Sequence, residues 1–389
     1  MNQPPLQKVK VLDMTRLVPG LVACSIMGDL GADVVKIEKP GAGDDLRRIP
    51  PHAQDGQGIY FKALARNMRS LALDTKTEKG KQVLVELIKQ SDVFIHSFRP
   101  NVLEGQGLGQ EDMLAVNQSL LYCTLNGFGN KGSLKERAAH DINYQALAGT
   151  LWPGLWPEKT PNPPGALAAD YGGGLYCVIT VLAGLLARDR QGKGQAIEVN
   201  LHGAILSMTG MPAAAALVLG RNFEPEEYRL SGNDPGYDVY KTKDEKYVAL
   251  AALEPKFWLA FLDQVGLSRL ANMRADSAKW PLLRAELKDL FASKTRAQWG
   301  EISKKGDFCL TEVLSSKEAL SHPHAIQTGL VEKDPDGTTR LAFPCVLSGT
   351  PALRPGRAPN LGEHSKEVLM EIGMDPEYID RLKSEGIIG

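Results

Sequence analysis

At 389 residues the chain has length for two or three domains, and its 43% hydrophobic and 23% charged content is that of an ordinary globular protein. A formal net charge of −1 gives no support to a nucleic-acid or membrane-surface partner. The cysteines Cys24, Cys123, Cys177, Cys309 and Cys345 are odd in number, scattered and without a CxxC pair, which reads as a reduced intracellular protein. The opening MNQPPLQKVKVLDM has neither an apolar signal core nor an Arg-rich amphipathic presequence, so a cytoplasmic location is expected.

Residues 8–14 (KVKVLDM) predict a short apolar strand, residues 20–30 a helix stopped by Gly31, and residues 33–38 (DVVKIE) a second strand. Strand, helix and strand within about thirty residues make a βαβ unit and imply a parallel sheet. No GxGxxG follows the first strand, which removes the main support for a dinucleotide site. The alternation continues with strands at 70–74, 93–98 and 120–125 and helices at 78–90, where Thr77 is the expected cap, and at 110–117. A doubly wound α/β domain is the expected architecture to about residue 200, with ligands beyond the strand carboxyl ends, where Lys36, Lys39 and Arg99 fall. Surface lysines usually serve solubility, but three cations at strand ends suggest an anionic ligand.

Residues 151–165 (LWPGLWPEKTPNPPG) are too proline-rich for regular structure and read as a crossing between the His140 segment and a following helix. That helix is announced by the apolar run 175–187, by Arg188 and Arg190, and by Gly192 at its end. Thirteen apolar residues are too few to cross a bilayer, so a buried core helix is expected. Asp170 falls where an N-cap would fall, and Gly172, Gly173 and Gly174 are then expected in the first turn, each costing roughly 1 kcal/mol against alanine. Bare first-turn amides would stay open to a ligand, and a carboxylate beside them would be an acid/base or nucleophile next to an oxyanion site. Simple capping is the plainer alternative.

From about Tyr228 the texture changes. Segments 240–242 and 247–252 flank a polar KDEK turn, Glu254-Pro255 opens a helix carrying Phe257, Trp258 and Phe261, and two amphipathic stretches follow around 281–292 and 296–304. This predicts a smaller α+β domain over 225–328, after a large Rossmann-like domain over 1–224 and before a C-terminal segment, 329–389, that packs back on the large domain or on a second subunit. There is no GxSxG elbow, P-loop or HExxH helix, and His322 and His324, two apart in a loop-like stretch, give little basis for a metal. The titratable candidates are His140, Asp141, Asp170 and Glu254, and spacing alone does not bring them together.

The segments VLDMTRLVPGLVACSIMGDLGADVVKIEKPGAGD, NMRSLALDTKTEKGK, VFIHSFRPNVLE, LARDRQGKGQAIEV and PNLGEH, in that order, resemble the family III CoA-transferases, a superfamily that includes formyl-CoA transferase and α-methylacyl-CoA racemase. The resemblance spans essentially the whole chain. It implies an interlocked, ring-like homodimer with an acyl-CoA thioester as substrate, CoA held on the large domain, and no metal or further cofactor. Lys39, Leu73, Lys76, Phe98 and Arg99 match CoA contacts, Asp141 is placed with them, and a basic contact common in relatives falls at Gly105 here. Asp170 matches the transferase nucleophile, which forms an anhydride and then an aspartyl-CoA thioester. In the racemase branch the same aspartate pairs with the histidine of an AGHDINY segment, here His140 in AAHDINY, and Glu254 matches a glutamate that orients it. Val18 and the glycine-poor LSGNDPGYDVY favour the racemase. Ala166, where racemases tend to have asparagine, and the short loop before Tyr240 count against it. The expected activity is therefore 2-methylacyl-CoA racemisation, with CoA transfer as the alternative. The acyl group is not legible, although Trp152, Trp156, Phe257 and Trp258 are candidates for lining an apolar acyl pocket.

Overall fold

The computed structural model describes residues 3–152, 163–224, 227–333 and 339–389, so Trp156 lies outside the described residues. The chain forms two compact units, one of residues 1–148, 165–208 and 326–389, the other of residues 149–164 and 209–325. These divisions fall at 208 and 325, whereas composition placed them at 224 and 328.

The first unit is built on six strands: β1 (Lys10–Met14), β2 (Asp33–Glu38), β3 (Met68–Ala72), β4 (Val93–His96), β5 (Leu121–Asn126) and β6 (Gln195–Asn200). They form one sheet of order β3-β2-β1-β4-β5-β6, and every pairing is parallel. This is the doubly wound arrangement expected from the alternating elements, with its order reversing between β1 and β4. Neighbouring strand residues point to opposite faces, so Val11 and Val34 enter one core while Leu12 and Val35 enter the other. The first core packs helices α1 (Leu17–Asp29) and α6 (Ala168–Gln191) on the sheet; the second packs α3 (Glu78–Lys89) and the tail helices Ser365–Glu371 and Pro376–Ser384. Shorter helices α2 (Ile59–Leu64), α4 (Gln110–Val116), α5 (Asp141–Leu147) and α7 (Leu201–Met208) complete this unit's frame. The tail thus returns to the first unit, where His364 Nδ1 accepts from Ser70 N and Arg69 pairs with Glu371.

Two readings of the Asp170 stretch are corrected. The helix begins at Ala168 behind Leu167, so Asp170 is its third residue and not its cap, and the helix runs for 24 residues. By length and composition alone it is long and apolar enough to cross a membrane. Half of its apolar window is buried, however, and it packs against α1, α7, β5 and β6 as a core helix. The three glycines lie beyond the first turn, where their amides have intrahelical acceptors, and all three are buried. Their use is close approach: a Cβ at Gly173 would meet Leu201 Cδ2 at 2.2 Å, and one at Gly174 would meet Pro19 O at 2.8 Å. Gly192 ends the helix at φ 75°, a left-handed position suited to glycine.

The second unit holds α8 (Met211–Leu219), an antiparallel sheet of β7 (Tyr237–Lys241), β8 (Tyr247–Ala251) and β9 (Leu310–Glu312), and α9 (Pro255–Gln264), α10 (Trp280–Ala292) and α11 (Arg296–Ser303). Trp258, Phe261, Phe291 and Trp299 form its core. Trp258 is only 3% exposed, with its indole N–H donated to Ala271 O, so it is a core residue and not an open pocket wall.

The glycine contacts generate a stability prediction. Gly174→Val forces side-chain atoms against the Pro19 carbonyl and Val22, and overpacking of this kind costs about 1–3 kcal/mol. Thermal unfolding should show a clearly lower Tm than wild type; an unchanged Tm would show that α1 and α6 part easily.

Candidate active site

Two clefts open at the carboxyl ends of the parallel strands, the position a doubly wound sheet dictates for ligands. The first, about 490 Å³, is lined by the turns after β1, β4 and β5 and by the starts of α5 and α6. The second, about 370 Å³, lies over the ends of β1, β2 and β3, and Arg16 lines both.

The turn after β1 divides them and is held from three sides. Asp13 and Lys36 are register partners on neighbouring strands, and Lys36 Nζ lies 3.1 Å from Asp13 Oδ2 and 3.2 Å from Asp44 Oδ2. Asp13 Oδ1 accepts from both Thr15 N (2.7 Å) and Thr15 Oγ1 (2.6 Å), while Lys36 donates to Thr15 O (3.0 Å). Ser97 Oγ, after β4, accepts from Arg16 N at 2.9 Å. These bonds hold Leu17 at φ 65°, an unfavourable backbone for leucine that persists only when its surroundings fix it. Lys36 is therefore a fully buried structural cation, not the surface ligand group its strand-end position suggested. The adjacent carboxylates hold its pKa up against the opposing effect of burial.

His140 and Asp170 line the first cleft together. His140 precedes α5 in extended backbone conformation, its N–H bonded to Asn143 Oδ1 at 3.0 Å, and it is exposed to the cleft. Asp170, half-buried at the start of α6, has its carboxyl pushed up to about 7, first by burial and then by the neighbouring Asp141 carboxylate. Near neutral pH such a group is present in both protonation states. Tyr144, in the same wall, is pushed up to about 12 by burial and by both aspartates, so it stays a neutral hydroxyl donating to Ala139 O at 3.2 Å.

Asp141 is put to a different use from the CoA contact expected of it. It is 7% exposed and lines neither cleft; its Oδ1 accepts from Ala169 N at 2.8 Å and Asp170 N at 3.0 Å. Those two amides are thereby occupied, and the open oxyanion donors expected at this helix start are absent there. Lys39, Leu73, Lys76 and Phe98 line the second cleft, and Arg99 lines the first. Glu254 belongs to the second unit, where it is exposed and precedes α9. Among the described residues no group of three or more His, Cys, Asp or Glu side chains is arranged to hold a metal.

Several residues in or beneath these walls were not expected from the sequence. Lys135 and Arg137 line the Asp170 cleft, and with Arg16 and Arg99 they make its rim cationic. Their signal was a pair of bases just ahead of His140. His96, inside the apolar strand VFIH, is buried and neutral, because burial lowers its pKa to about 3. Its Nδ1 accepts from Phe98 N at 3.3 Å and its Nε2 lies 3.0 Å from Thr124 Oγ1, so the ring orients the turn that carries Phe98 and Arg99. A lone histidine in a buried strand was the available signal.

Fold and clefts define a doubly wound α/β protein with a cation-rimmed ligand site at the strand carboxyl ends. The chain belongs to CoA-transferase family III, whose family model matches residues 6–365. It is 36% identical to the alpha-methylacyl-CoA racemase of Homo sapiens over 98% of this chain and 97% of that one. It is 29% identical to the succinyl-CoA:glutarate CoA-transferase of Mus musculus, over 100% and 91% of the two chains. Among solved structures, a CAIB/BAIF family protein from Brucella suis superposes with a TM-score of 0.85 at 28% identity, covering 96% of this chain and 100% of the other.

The raised carboxyl makes a pH prediction. A group whose folded pKa exceeds its ordinary value of 3.8 stabilises the fold while protonated, and that contribution is lost as pH rises through about 7. Wild type should therefore lose stability relative to Asp170→Asn between about pH 4 and pH 8, as measured by urea midpoints. A constant difference across that range would mean the carboxyl is not raised.

Proposed function

We propose that the protein is a 2-methylacyl-CoA racemase in which His140 and Asp170 exchange the α-proton of the thioester. The observation that carries this reading is the placement of both side chains on one cleft, with the Asp170 carboxyl raised to about 7. Proton transfer is most efficient when a group's pKa lies near the working pH. Racemisation needs one group protonated and the other not, then the reverse after turnover, and a pair sharing one proton meets that need. One group removes the α-proton to give an enolate, and the other delivers a proton to the opposite face. The cationic rim favours the developing negative charge and the phosphates of CoA.

CoA is inferred to lie along the second cleft, with Lys39 and Lys76 toward its phosphates and Leu73 and Phe98 along its apolar portions. Its thioester end would then pass Arg16 and Arg99 to reach Asp170. Glu254 is assigned to orienting His140, and the working form to a homodimer in the cytoplasm, with no metal or cofactor beyond the CoA of the substrate. The racemase relative, at 36% identity against 29% for the transferase named above, supports the same choice.

CoA transfer through an Asp170 anhydride and thioester is the second reading, supported by the transferase relative. It asks for an ionised carboxylate as nucleophile, and a carboxyl raised to about 7 is ionised only in part near neutrality. Proton NMR of (2S)-2-methylacyl-CoA in D₂O, with no acceptor acid, separates the two. The expected result is loss of the α-proton signal with appearance of the 2R form, and in His140→Ala the appearance of the 2R form falls by about a hundredfold or more. Retention of the α-proton by wild type, together with CoA transfer to an added carboxylic acid, would establish the second reading.

A further inference from the structure

The start of α6 has no cap of its own, because Leu167 carries no acceptor. A helix start leaves four amide donors without intrahelical partners, and a partly buried start needs acceptors from elsewhere. One carboxylate, 28 residues earlier in the chain, meets this need: Asp141 Oδ1 takes both Ala169 N and Asp170 N. Its other oxygen accepts from Gln145 Nε2, one turn along α5, so the carboxylate is held from both sides. Asp141 is also the first residue of α5, directly following His140, whose own N–H is fixed by Asn143. A single side chain therefore ties the backbone beside one proposed proton carrier to the backbone of the other.

We propose that Asp141 is a positioning residue, a staple between the starts of α5 and α6 that fixes the separation of His140 and Asp170. The inference rests on the racemase reading for its consequence in catalysis, but the staple itself is a feature of the fold. The same carboxylate is a fixed negative charge beside Asp170, so it disfavours ionisation there. Other charged or titratable groups face Asp170 as well. His140 and Tyr144 come from α5, Lys135 and Arg137 from the segment before it, Arg16 and Arg99 from the turns after β1 and β4, and Asp45 from the far wall. His202 opens α7, the helix packed on α6. Asp141 differs from all of these in bonding directly to the Asp170 backbone.

Two variants separate charge from tie. Asp141→Asn keeps an oxygen able to accept both amides and removes the charge, whereas Asp141→Ala removes both. The Asp170 carboxyl is followed by carbon-13 NMR titration of the full-length protein, its signal assigned by its loss in Asp170→Asn. In Asp141→Asn the titration midpoint is expected to fall below that of wild type, with α-proton exchange retained and its acidic limb moved the same way. In Asp141→Ala, exchange should fall by about tenfold or more while the KM for the acyl-CoA stays within about twofold, the pattern of lost geometry and not of lost binding. Should Asp141→Ala not fold, Asp141→Ser, whose shorter side chain cannot span to both amides, gives the same readout. An Asp141→Ala protein exchanging at the wild-type rate would overturn the proposal, and an Asp170 midpoint unchanged in Asp141→Asn would remove the charge effect from it. If wild type shows no α-proton exchange at all, the racemase reading fails, and the staple is judged by the Ala169 and Asp170 amide protons, which should exchange with solvent faster in Asp141→Ala than in Asp141→Asn.

Discussion

The parallel pairing of β1 with β2 on one side and β4 on the other is the constraint on which the rest depends. Because the strand order reverses there, the connections after β1 and β4 depart to different sides and leave a crevice between them. The polar walls of that crevice rest on a buried ion cluster. Lys36, Asp13 and Asp44 are withdrawn from water, and such charges are tolerable only when paired and hydrogen-bonded. Here they hold the Thr15–Leu17 turn, which separates two clefts that share Arg16.

Placing Asp170 requires a further device. Glycines let α6 approach α1 and α7 closely, which draws the start of the helix into the unit and removes part of its carboxyl from water. That desolvation turns an ordinary aspartate into a group able to take and return a proton near neutrality. The sequence feature first read as an open donor site is thus a packing feature whose consequence is electrostatic. The relatives named above include both a racemase and a CoA-transferase. In the reading proposed above, the raised pKa of Asp170 weighs toward proton transfer.

The alternation of strands and helices was legible because each element carries its own signal. Thr77 does cap α3, accepting from Gly80 N at 3.0 Å, and Gly192 does end α6. The start of α6 was placed three residues late because its cap is not local: no residue near Leu167 announces an acceptor that arrives from Asp141. Lys36 was misjudged for a similar reason, since a lysine at a strand end looks like a surface ligand until its register partner, Asp13, is known. His140 and Asp170 were legible as titratable candidates, and the resemblance supplied their roles, but their presence on one cleft is a property of topology. Arg137 and His96 were passed over because one base or one histidine carries no chemistry without its neighbours.

The central claim is that His140 and Asp170 act as two separate proton carriers on one substrate. It is tested most directly by presenting each pure enantiomer of a 2-methylacyl-CoA to His140→Ala in D₂O and following deuterium incorporation by NMR. The account predicts that one enantiomer, whose α-proton faces Asp170, exchanges with solvent without inverting, while the other stays inert. Full racemisation by this variant, or inertness of both enantiomers in wild type, would contradict it.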